Sequence, residues 1–400
     1  MSLLNRRRVL LAKLESSYAA DAAPGNANAI LLLDSGFDLK PLVGAEVERK
    51  FIRPFFGGSG KIRVENYSTL TFEVELAGSG HAGSVPAYSP LLRACGLSET
   101  IIGSSITGAL QAGNTTSSLV LPTTASAIDN FYDGMTLTVT SGALSGQSRI
   151  LSGYNGTTKV AQLTQPLASA PATSVTVSIG ACVSYSPVSL AQESCTLYFN
   201  VDGVRHILIG AMGTVSGGLT VKQVPSLKFA FTGLLGTITD NALPQADYSA
   251  FKNPVACSTA NTVNFRLHGC YSNMIDIESL SWDLANAVVY RSLIGQERVI
   301  ITERNSTGKI TFESMPVASN ALHTDMSPYN WYAAAKSKVR GPLIVQHGTA
   351  SGNSVILSAP AVEIGDPSYS DSQGISMTNL TLDFVPSQIT GNDEIKLTFQ

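Results

Sequence analysis

Charged side chains are scarce in this sequence. Asp, Glu, Lys and Arg make up 14% of its 400 residues, whereas soluble domains average about 25%. The formal net charge of −3 offers no broad basic surface, which excludes tight, general binding to nucleic acid. Ser, Thr, Gly, Ala and β-branched residues are plentiful instead, and this mixture suits sheets that pack against other sheets.

Cysteine pairs and long apolar runs are also missing. The cysteines are odd in number and have no CxxC spacing, which predicts reduced, buried thiols in a reducing compartment rather than a disulfide framework or a zinc site. No apolar stretch is long enough to span a membrane. The five cysteines are Cys95, Cys182, Cys195, Cys257 and Cys270.

The N-terminal segment lacks the apolar core of a secretory signal. Three arginines precede an apolar run in MSLLNRRRVLLAKLESSY, but Lys13 and Glu15 cut that run short. The spacing predicts an amphipathic helix with Val9, Leu10 and Leu14 on one face. Residues 1–37 are therefore interpreted as this helix and a small-residue connector.

Catalytic and ligand-binding motifs are absent as well. Residues 78–84, GSGHAGS, fit the dinucleotide pattern GxGxxG, but a helix should follow, and Val85-Pro86 and Ser89-Pro90 stand there instead. The five histidines lack metal-binding spacing, and no GxSxG segment presents a nucleophilic serine. These absences predict a structural protein with no cofactor and no metal, although paired catalytic carboxylates stay open because a sequence does not show a cleft.

Strand patterns dominate what is present. Residues 61–76, KIRVENYSTLTFEVEL, alternate apolar and polar positions, which predicts a half-buried antiparallel strand pair. A single clear helix is predicted at 328–339, with Ser327 as N-cap, Pro328 in the first turn and Gly341-Pro342 as the stop. The apolar positions of 61–76 are Val64, Leu70, Phe72, Val74 and Leu76.

Residues 104–180 differ from the rest of the chain. They carry almost no charge and are rich in Ser and Thr, with short strand patterns at 136–140, 148–151 and 159–164. Asn155-Gly156 between the last two is a strong hairpin signal. The flanking segments make sense if joined directly, so we interpret 104–180 as an inserted β-domain.

Two stretches of the chain share a pattern that suggests one unit used twice. HILIGAMGTVSGGLTVKQVPSLKFAFTG at 206–233 shares its pattern with RSLIGQERVIITERNSTGKITFE at 291–313, and residues 66–78 share theirs with 223–236. Both matches lie in strand patterns, where alternation alone creates similarity. The two hypotheses are a duplicated unit and a coincidence in a β-rich chain.

Several segments together resemble a known family, the major tail tube proteins of long-tailed, non-contractile (siphovirus-type) bacteriophages and related prophages. The resemblance covers nearly all of the chain except 104–180, a segment that is itself similar to small β-modules appended to phage tail proteins. The segments are RRRVLLAKLESSYAADAAP, YSPVSLAQESCTLYFNVDGVRHILIGAMGTVS, SLSWDLANAVVYRSLIGQERVIITERNSTGKITFE and GDPSYSDSQGISMTNLTLDFVPSQITGNDEIKLTF.

The resemblance implies a fold and a function. The fold would be mainly β, with β-sandwich domains and a flanking helix, whose sheets join between subunits into a barrel around a channel. Stacked rings would form the tail tube, assembled in the cytoplasm of a bacterial host, and genomic DNA would pass through the lumen without tight binding. Its partners would be itself and other tail proteins such as the tape measure, tail tip and terminator, with no membrane span.

The resemblance also bears on ring symmetry. If the unit is duplicated, one tube domain comprises 38–103 with 181–258 and the other comprises 259–400. Three chains would then close a ring of pseudo-sixfold symmetry, whereas a single-domain member forms a ring of six. We favour the trimer; its weak point is the first unit, where only YSPLLRACG at 88–96 can match the helix at 328–339.

Assembly residues are predicted in an arm and in the two repeated hairpins. FIRPFFGGSG at 51–60 resembles an extended arm that reaches an adjacent ring, with aromatic anchors; an ordinary loop is the alternative. The hairpins are expected to line the lumen, loop 141–147 to make contacts, and the inserted domain to lie outside the tube. The candidate residues are Phe51, Arg53, Phe55, Phe56, Arg205, Arg291, Glu297 and Arg298.

Two other classes of protein stay open from the residues alone. One is a β-rich surface- or carbohydrate-binding module, as in a tail fibre or adhesin, which would stay a discrete oligomer at high concentration. The other is a hydrolase with acidic pairs in a cleft. Filament formation distinguishes a tube protein from both.

Overall fold

The fold is mainly β, as predicted. The computed structural model describes residues 3–271, 275–317 and 329–400. Strands account for 48% of the structure and helices for 4%. Neither of the two α-helices within these ranges has the length and apolar character that a bilayer crossing requires.

Strands follow one another closely along the chain. The first part contains β1 (Arg8–Leu14), a 3-10 turn (Asn26–Asn28), β2 (Ala29–Ile30), β3 (Asp38–Val43), β4 (Glu46–Glu48), β5 (Lys61–Arg63), β6 (Tyr67–Glu75), α1 (Ser89–Ala94) and β7 (Leu97–Ile102). The middle part contains β8 (Ile106–Ala109), β9 (Ser118–Val120), β10 (Thr136–Val139), β11 (Ser148–Tyr154), β12 (Val160–Leu163) and β13 (Thr176–Ile179).

The remaining elements complete the main body. They are β14 (Cys182–Pro187), β15 (Cys195–Val201), β16 (Val204–Thr220), β17 (Ser226–Asp240), β18 (Thr262–Leu267), β19 (Cys270–Tyr271), β20 (Ile277–Asp283), β21 (Asn286–Leu293), β22 (Gln296–Arg304), β23 (Thr307–Glu313), α2 (Trp331–Ser337), β24 (Arg340–His347), β25 (Val355–Ser372), β26 (Ile375–Phe384) and β27 (Lys396–Phe399).

The predicted N-terminal helix is wrong, because the segment forms strand β1. This strand pairs with β15 on one edge and β2 on the other. Leu10 packs into the main core, while Val9 and Leu11 pack with Tyr198 on the opposite face. A short apolar run buried on both faces has no strand alternation to reveal it, so sequence spacing could not separate the two structures.

The alternation in β6 predicted its burial correctly. Leu70, Phe72 and Val74 are buried, and the residues between them are half-exposed. The predicted strand pair within 61–76 is wrong, because β5 and β6 do not pair with each other. β6 pairs antiparallel with β17 and β3, and β5 pairs with β4. Val64, which belonged to the same predicted pattern, lies before β6 and is exposed.

One pairing order occurs twice in the main body. Hydrogen-bonded neighbours run β3, β6, β17, β16, β15, β1, β2 in the first set and β20, β23, β26, β25, β24, β18, β19 in the second. Corresponding strands occur in the same order along the chain. Each set also has a hairpin between its third and fourth strands in chain order, β4–β5 or β21–β22, and a helix after the fourth. We name these sets the first and second circuits.

This repeat is not the one predicted from sequence. Residues 206–233 do lie on a hairpin, β16–β17, but 291–313 cover the end of β21, then β22 and β23, and the last two do not pair with each other. Residues 66–78 and 223–236 belong to β6 and β17, which are neighbours in one circuit. Every half-buried strand alternates in this way, so alternation cannot identify equivalent strands.

The helix of the second circuit is α2, and its ends differ from the predicted ones. α2 confirms the predicted helix but spans only Trp331–Ser337. Asn330 caps it by accepting a hydrogen bond from the amide of Ala333 at 2.9 Å; the predicted cap Ser327 and Pro328 lie outside the described residues. Gly341-Pro342 is not the stop, since it lies inside β24.

In the first circuit, α1 occupies the corresponding position, so YSPLLRACG does contain a helix. The expectation that no helix follows the GxGxxG segment is therefore wrong. However, α1 starts only at Ser89 and is six residues long, with Leu91 and Leu92 buried in the core. A helix so short and so placed gives the glycine-rich segment no phosphate-binding geometry.

Residues of the predicted insertion form a separate sheet with the order β8-β13-β10-β11-β12-β9 and a core of their own. The three strand patterns are confirmed as β10, β11 and β12, and Asn155 starts the β11–β12 turn by accepting hydrogen bonds from the amides of Thr157 and Thr158. The flanking strands β7 and β14 pair directly, with Ile102 opposite Cys182.

All five cysteines are free and buried, as predicted. Burial raises the pKa of each thiol, most strongly at Cys95 and Cys195. These thiols are therefore protonated and shielded at neutral pH.

Candidate assembly surfaces

The two circuits are joined by a strand pair inside the chain. The last part of β16 pairs antiparallel with β20, from Ser216 opposite Asp283 to Thr220 opposite Ser279. β17 pairs along one edge of β16. On the other edge, β15 pairs with residues 204–211 and β20 pairs with residues 216–220. A Cβ on Gly217 would lie 2.8 Å from the side chain of Trp282, so this close approach depends on glycine.

In the second circuit, β25 is the counterpart of β16, but no strand of the described residues pairs with its last part as β20 pairs with β16. β25 pairs with β26 up to Ser372, but with β24 only up to Glu363. Residues 364–372 thus have one edge with no strand partner among the described residues. β3, the counterpart of β20, pairs only with β6 within those ranges. Within the described ranges, one chain therefore has two strand edges without partners, at opposite ends of its sheet order, that correspond to the two halves of the β16–β20 junction.

Burial differs accordingly between the two circuits. The last pair of the β16–β17 ladder is Gly218 with Ser226, and that of β25–β26 is Ser372 with Ile375. Counting back from these ends, Tyr369 takes the position of Val215. Val215 is fully buried, whereas Tyr369 is 66% exposed. The second circuit presents a surface whose counterpart in the first circuit is covered.

Residues 44–65, which we name the arm, connect β3 to β6. β4 and β5 form its base, with Glu46 opposite Arg63 and Val47 opposite Ile62. Both apolar residues of the second pair are about half exposed. A β-ribbon of two three-residue strands with exposed apolar side chains is marginal by itself, so the arm lacks the packing that other strands of this chain have.

Four predicted assembly residues lie at the tip of the arm. The guanidinium of Arg53 lies 5.3 Å from the ring centre of Phe51 and 5.8 Å from that of Phe55, and Arg49 lies 4.7 Å from Phe51. Phe56 is fully exposed. The tip thus holds exposed aromatics and cations together, the composition of interface anchors.

The other four predicted residues do not form one site. Arg205 lies on β16, stacks over Tyr198 at 4.8 Å and donates to Asn200. On the β21–β22 hairpin, Arg291 lies directly opposite Arg298, with Glu297 opposite Ser292. No ion pair joins Arg205 to these three in the described part of the chain. Arg205 and these three residues lie on two different strand pairs, and their common role in lining a lumen stays a prediction.

The hairpin β21–β22 lies against the first circuit. Tyr290 stacks on Tyr67 of β6, and Val299 is fully buried. The side chain of Asn286 donates to the carbonyl of Cys95 at 2.7 Å, at the end of α1. The second-circuit hairpin is therefore held in place, while the arm, its first-circuit counterpart, is not.

The inserted sheet is fixed to the main body by apolar and polar contacts. Ile150 packs with Ile344 and Ile356 in a small buried cluster. Lys396 donates to the carbonyls of Asn130 at 2.8 Å and Phe131 at 3.3 Å. A cavity of about 660 Å³ lies beside these contacts. The insertion is docked on the body rather than tethered by its two connections.

A buried carboxyl lies at this boundary. Asp133 is 4% exposed, and neither of its carboxylate oxygens has a hydrogen-bond partner among the described residues. Burial raises its pKa to about 7, an effect that Lys396 opposes and Asp393 adds to. Burial also lowers the pKa of Lys396, against the attraction of the acidic neighbours. The boundary therefore holds a carboxyl with a pKa of about 7 beside a buried lysine whose pKa is lowered.

Two buried histidines make hydrogen bonds within the fold. The described ranges contain no group of three or more His, Cys, Asp or Glu side chains placed to hold a metal ion. His268 contacts the Tyr329 hydroxyl and the Val362 carbonyl, and His347 contacts Thr262 and a backbone carbonyl. Burial lowers the pKa of both rings, which therefore act as neutral structural groups.

Neither the known protein families nor the curated proteins contain a match to this chain.

Sequence reasoning found the aromatic arm tip but missed three features that geometry brings forward. These are the Val47–Ile62 pair, the exposed Tyr369 and the unpaired edge of β25. An apolar residue between charged neighbours, as in EVE and KIR, was the only signal in the sequence for the first. The other two depend on strand pairing and could not be read from the residues.

Proposed function

We propose that this chain is a structural virion protein, the major tail tube protein of a long-tailed, non-contractile bacteriophage or related prophage. It polymerises as stacked rings around a channel through which DNA is ejected. The resemblance of four segments to that family motivates the proposal. The mainly β fold and the scarcity of charge are in keeping with it.

The observation that carries the proposal is the strand junction inside the chain, together with two equivalent strand edges that have no partner among the described residues. β16 with β20 joins the first circuit to the second. β25 of the second circuit is equivalent to β16, and β3 of the first circuit is equivalent to β20. If β25 of one copy pairs with β3 of the next copy, the junction is repeated head to tail. Such a heterologous contact forms a ring if its rotation closes. Closure also removes edges that would otherwise recruit other strands.

Ring size follows from the number of circuits in each chain. If internal and intermolecular junctions are alike, each copy contributes two of the units around the channel. Three copies would supply six units, so we propose a trimeric ring of pseudo-sixfold symmetry. The partners are then further copies of the chain and other tail proteins such as the tape measure, tip and terminator.

DNA would be a transient occupant of the channel rather than a ligand. A net charge of −3 provides no excess of cations to hold passing phosphates. Low affinity is an advantage for a conduit, because each tight phosphate contact would slow ejection.

Electron microscopy of the purified protein at high concentration tests the proposal. Hollow filaments whose end-on views show threefold rings support both the tube and the trimer. Sixfold rings retain the tube and overturn the trimer. Discrete particles under all conditions overturn the tube and favour a fibre- or adhesin-like binding module.

A further inference from the structure

The arm and the β21–β22 hairpin occupy equivalent positions in the two circuits. Each leaves the third strand of its circuit in chain order and returns as the fourth. In the arm, Val47 lies opposite Ile62; in the hairpin, Val288 lies opposite Ile301. The apolar pair is the second cross-strand pair of the arm, after Glu46 with Arg63, and the third of the hairpin, after Asn286 with Arg304 and Ala287 with Glu303. A Val–Ile pair therefore lies near the base of both ribbons.

The apolar pair of the hairpin packs on a surface at the end of α1, which we name the seat. The Cδ1 atom of Ile301 lies 3.3 Å from the place that a Cβ of Gly96 would take. Gly96 is the second residue after α1, and Asn286 bonds to the preceding carbonyl. The hairpin therefore packs against the end of the first-circuit helix and the adjoining face of β16.

Among the described residues, no hairpin covers the equivalent seat in the second circuit. The second residue after α2 is Val339, which is 45% exposed, and the neighbouring strand β25 presents Tyr369. The apolar pair of the arm is exposed to a similar degree: Val47 is 54% and Ile62 is 53% exposed. Two apolar surfaces thus lie open on one chain, one matching the hairpin and the other matching its seat.

We propose that the arm docks on the end of α2 and the adjoining face of β25 of a second copy of this chain. Ile62 takes the place beside Val339 that Ile301 takes beside Gly96.

The inference rests on the proposed function, since it uses the pairing of β3 with a neighbour's β25. The arm follows directly after β3, so the copy that pairs with β3 is also the copy within its reach. The arm is thereby assigned to the lateral neighbour in the ring. The alternative from sequence, contact with an adjacent ring, is one outcome of the test.

A double cysteine variant tests this seat. Ile62→Cys with Val339→Cys is placed in the full chain and oxidised under assembly conditions, and the products are separated by non-reducing electrophoresis. The five native cysteines are buried and do not interfere in folded protein. Head-to-tail docking predicts a ladder of linked oligomers, because each copy is linked to two neighbours. Each single variant should give no ladder.

A matched control and microscopy separate the outcomes. Ile62→Cys with Ile389→Cys uses an equally accessible position, since Ile389 is fully exposed, and should give no ladder. Rings seen by microscopy without a ladder from the Val339 pair overturn the arm seat and leave the tube. An internal link within single chains also overturns the seat. Absence of any assembly by the unmodified protein overturns the tube and the seat together.

Discussion

Tyr290 stacks on Tyr67 with ring centres 4.6 Å apart and an angle of 25° between the ring planes. The contact joins a second-circuit hairpin to a first-circuit strand. On the same hairpin, the amide of Val299 donates to the hydroxyl of Tyr18. The two circuits are thus fixed to each other by side chains as well as by the strand pair of β16 and β20.

Removal of this stack should weaken the connection measurably. Aromatic pairs contribute about 0.5–1.5 kcal/mol beyond their burial. We expect Tyr290→Leu and Tyr67→Leu each to lower the free energy of unfolding in urea. The double variant should lose less than the sum of the two, by about 1 kcal/mol of coupling. Strictly additive losses would show that the stacking contributes nothing.

Asp133 should make stability depend on pH. Its pKa rises from an ordinary value of 3.8 to about 7 in the fold, so between these values the folded state binds more protons than the unfolded state. The contribution of this group is then fully present below about pH 4 and is lost as pH rises to about 7. The neighbouring charges that face it are Lys396 and Asp393.

Asp133→Asn tests this dependence, since the amide does not titrate. The free energy of unfolding of the variant minus that of the unmodified protein should increase as pH rises from about 4 to about 7, by a few kcal/mol for a group this buried. Above this window the difference should level off. Urea unfolding at a series of pH values measures it, and a constant difference would rule out the raised pKa.

The aromatic tip of the arm should matter for assembly and not for folding. Phe55 is 63% exposed and Phe56 is fully exposed, so replacement of both by Ala should change the stability of the monomer by no more than about 0.5 kcal/mol. Tube growth, followed by sedimentation and microscopy, should stop. Ile389→Ala is the control for a general loss of exposed apolar surface. Tubes that form unchanged in the double variant would remove the tip from the interface.

The three-isoleucine cluster should hold the inserted sheet. Ile356 is fully buried between the sheet and the body, and its replacement by Ala should cost about 2–5 kcal/mol of stability. Because the loss falls at the boundary, limited proteolysis should also become faster near the connections of the insertion. Ile389→Ala again serves as the exposed control. Equal protease sensitivity in both variants would mean that the sheet is held by other contacts.

Local patterns in the sequence predicted local structure well. Alternation found β6, Asn155 marked the turn after β11, and the helix predicted at 328–339 contains α2. Each of these depends on neighbours in the chain. The β1 strand was missed because burial on both faces removes its alternation.

Relationships between distant segments could not be predicted in the same way. The repeat consists of an order of strand pairing, which no local sequence pattern encodes. The junction of the two circuits requires a particular residue only at close approaches such as that of Gly217 to Trp282. The Asp133–Lys396 boundary likewise joins positions that are far apart in the chain. Exposure of Tyr369 becomes informative only when its counterpart Val215 is known.

The meeting of Ile102 and Cys182 across β7 and β14 also has an evolutionary consequence. An intervening module whose two ends emerge side by side can be acquired, exchanged or discarded in one recombination event, with the host sheet left intact. Lineages that share the body described here are therefore expected to differ most in this cassette, and the body offers a natural position for displaying foreign domains.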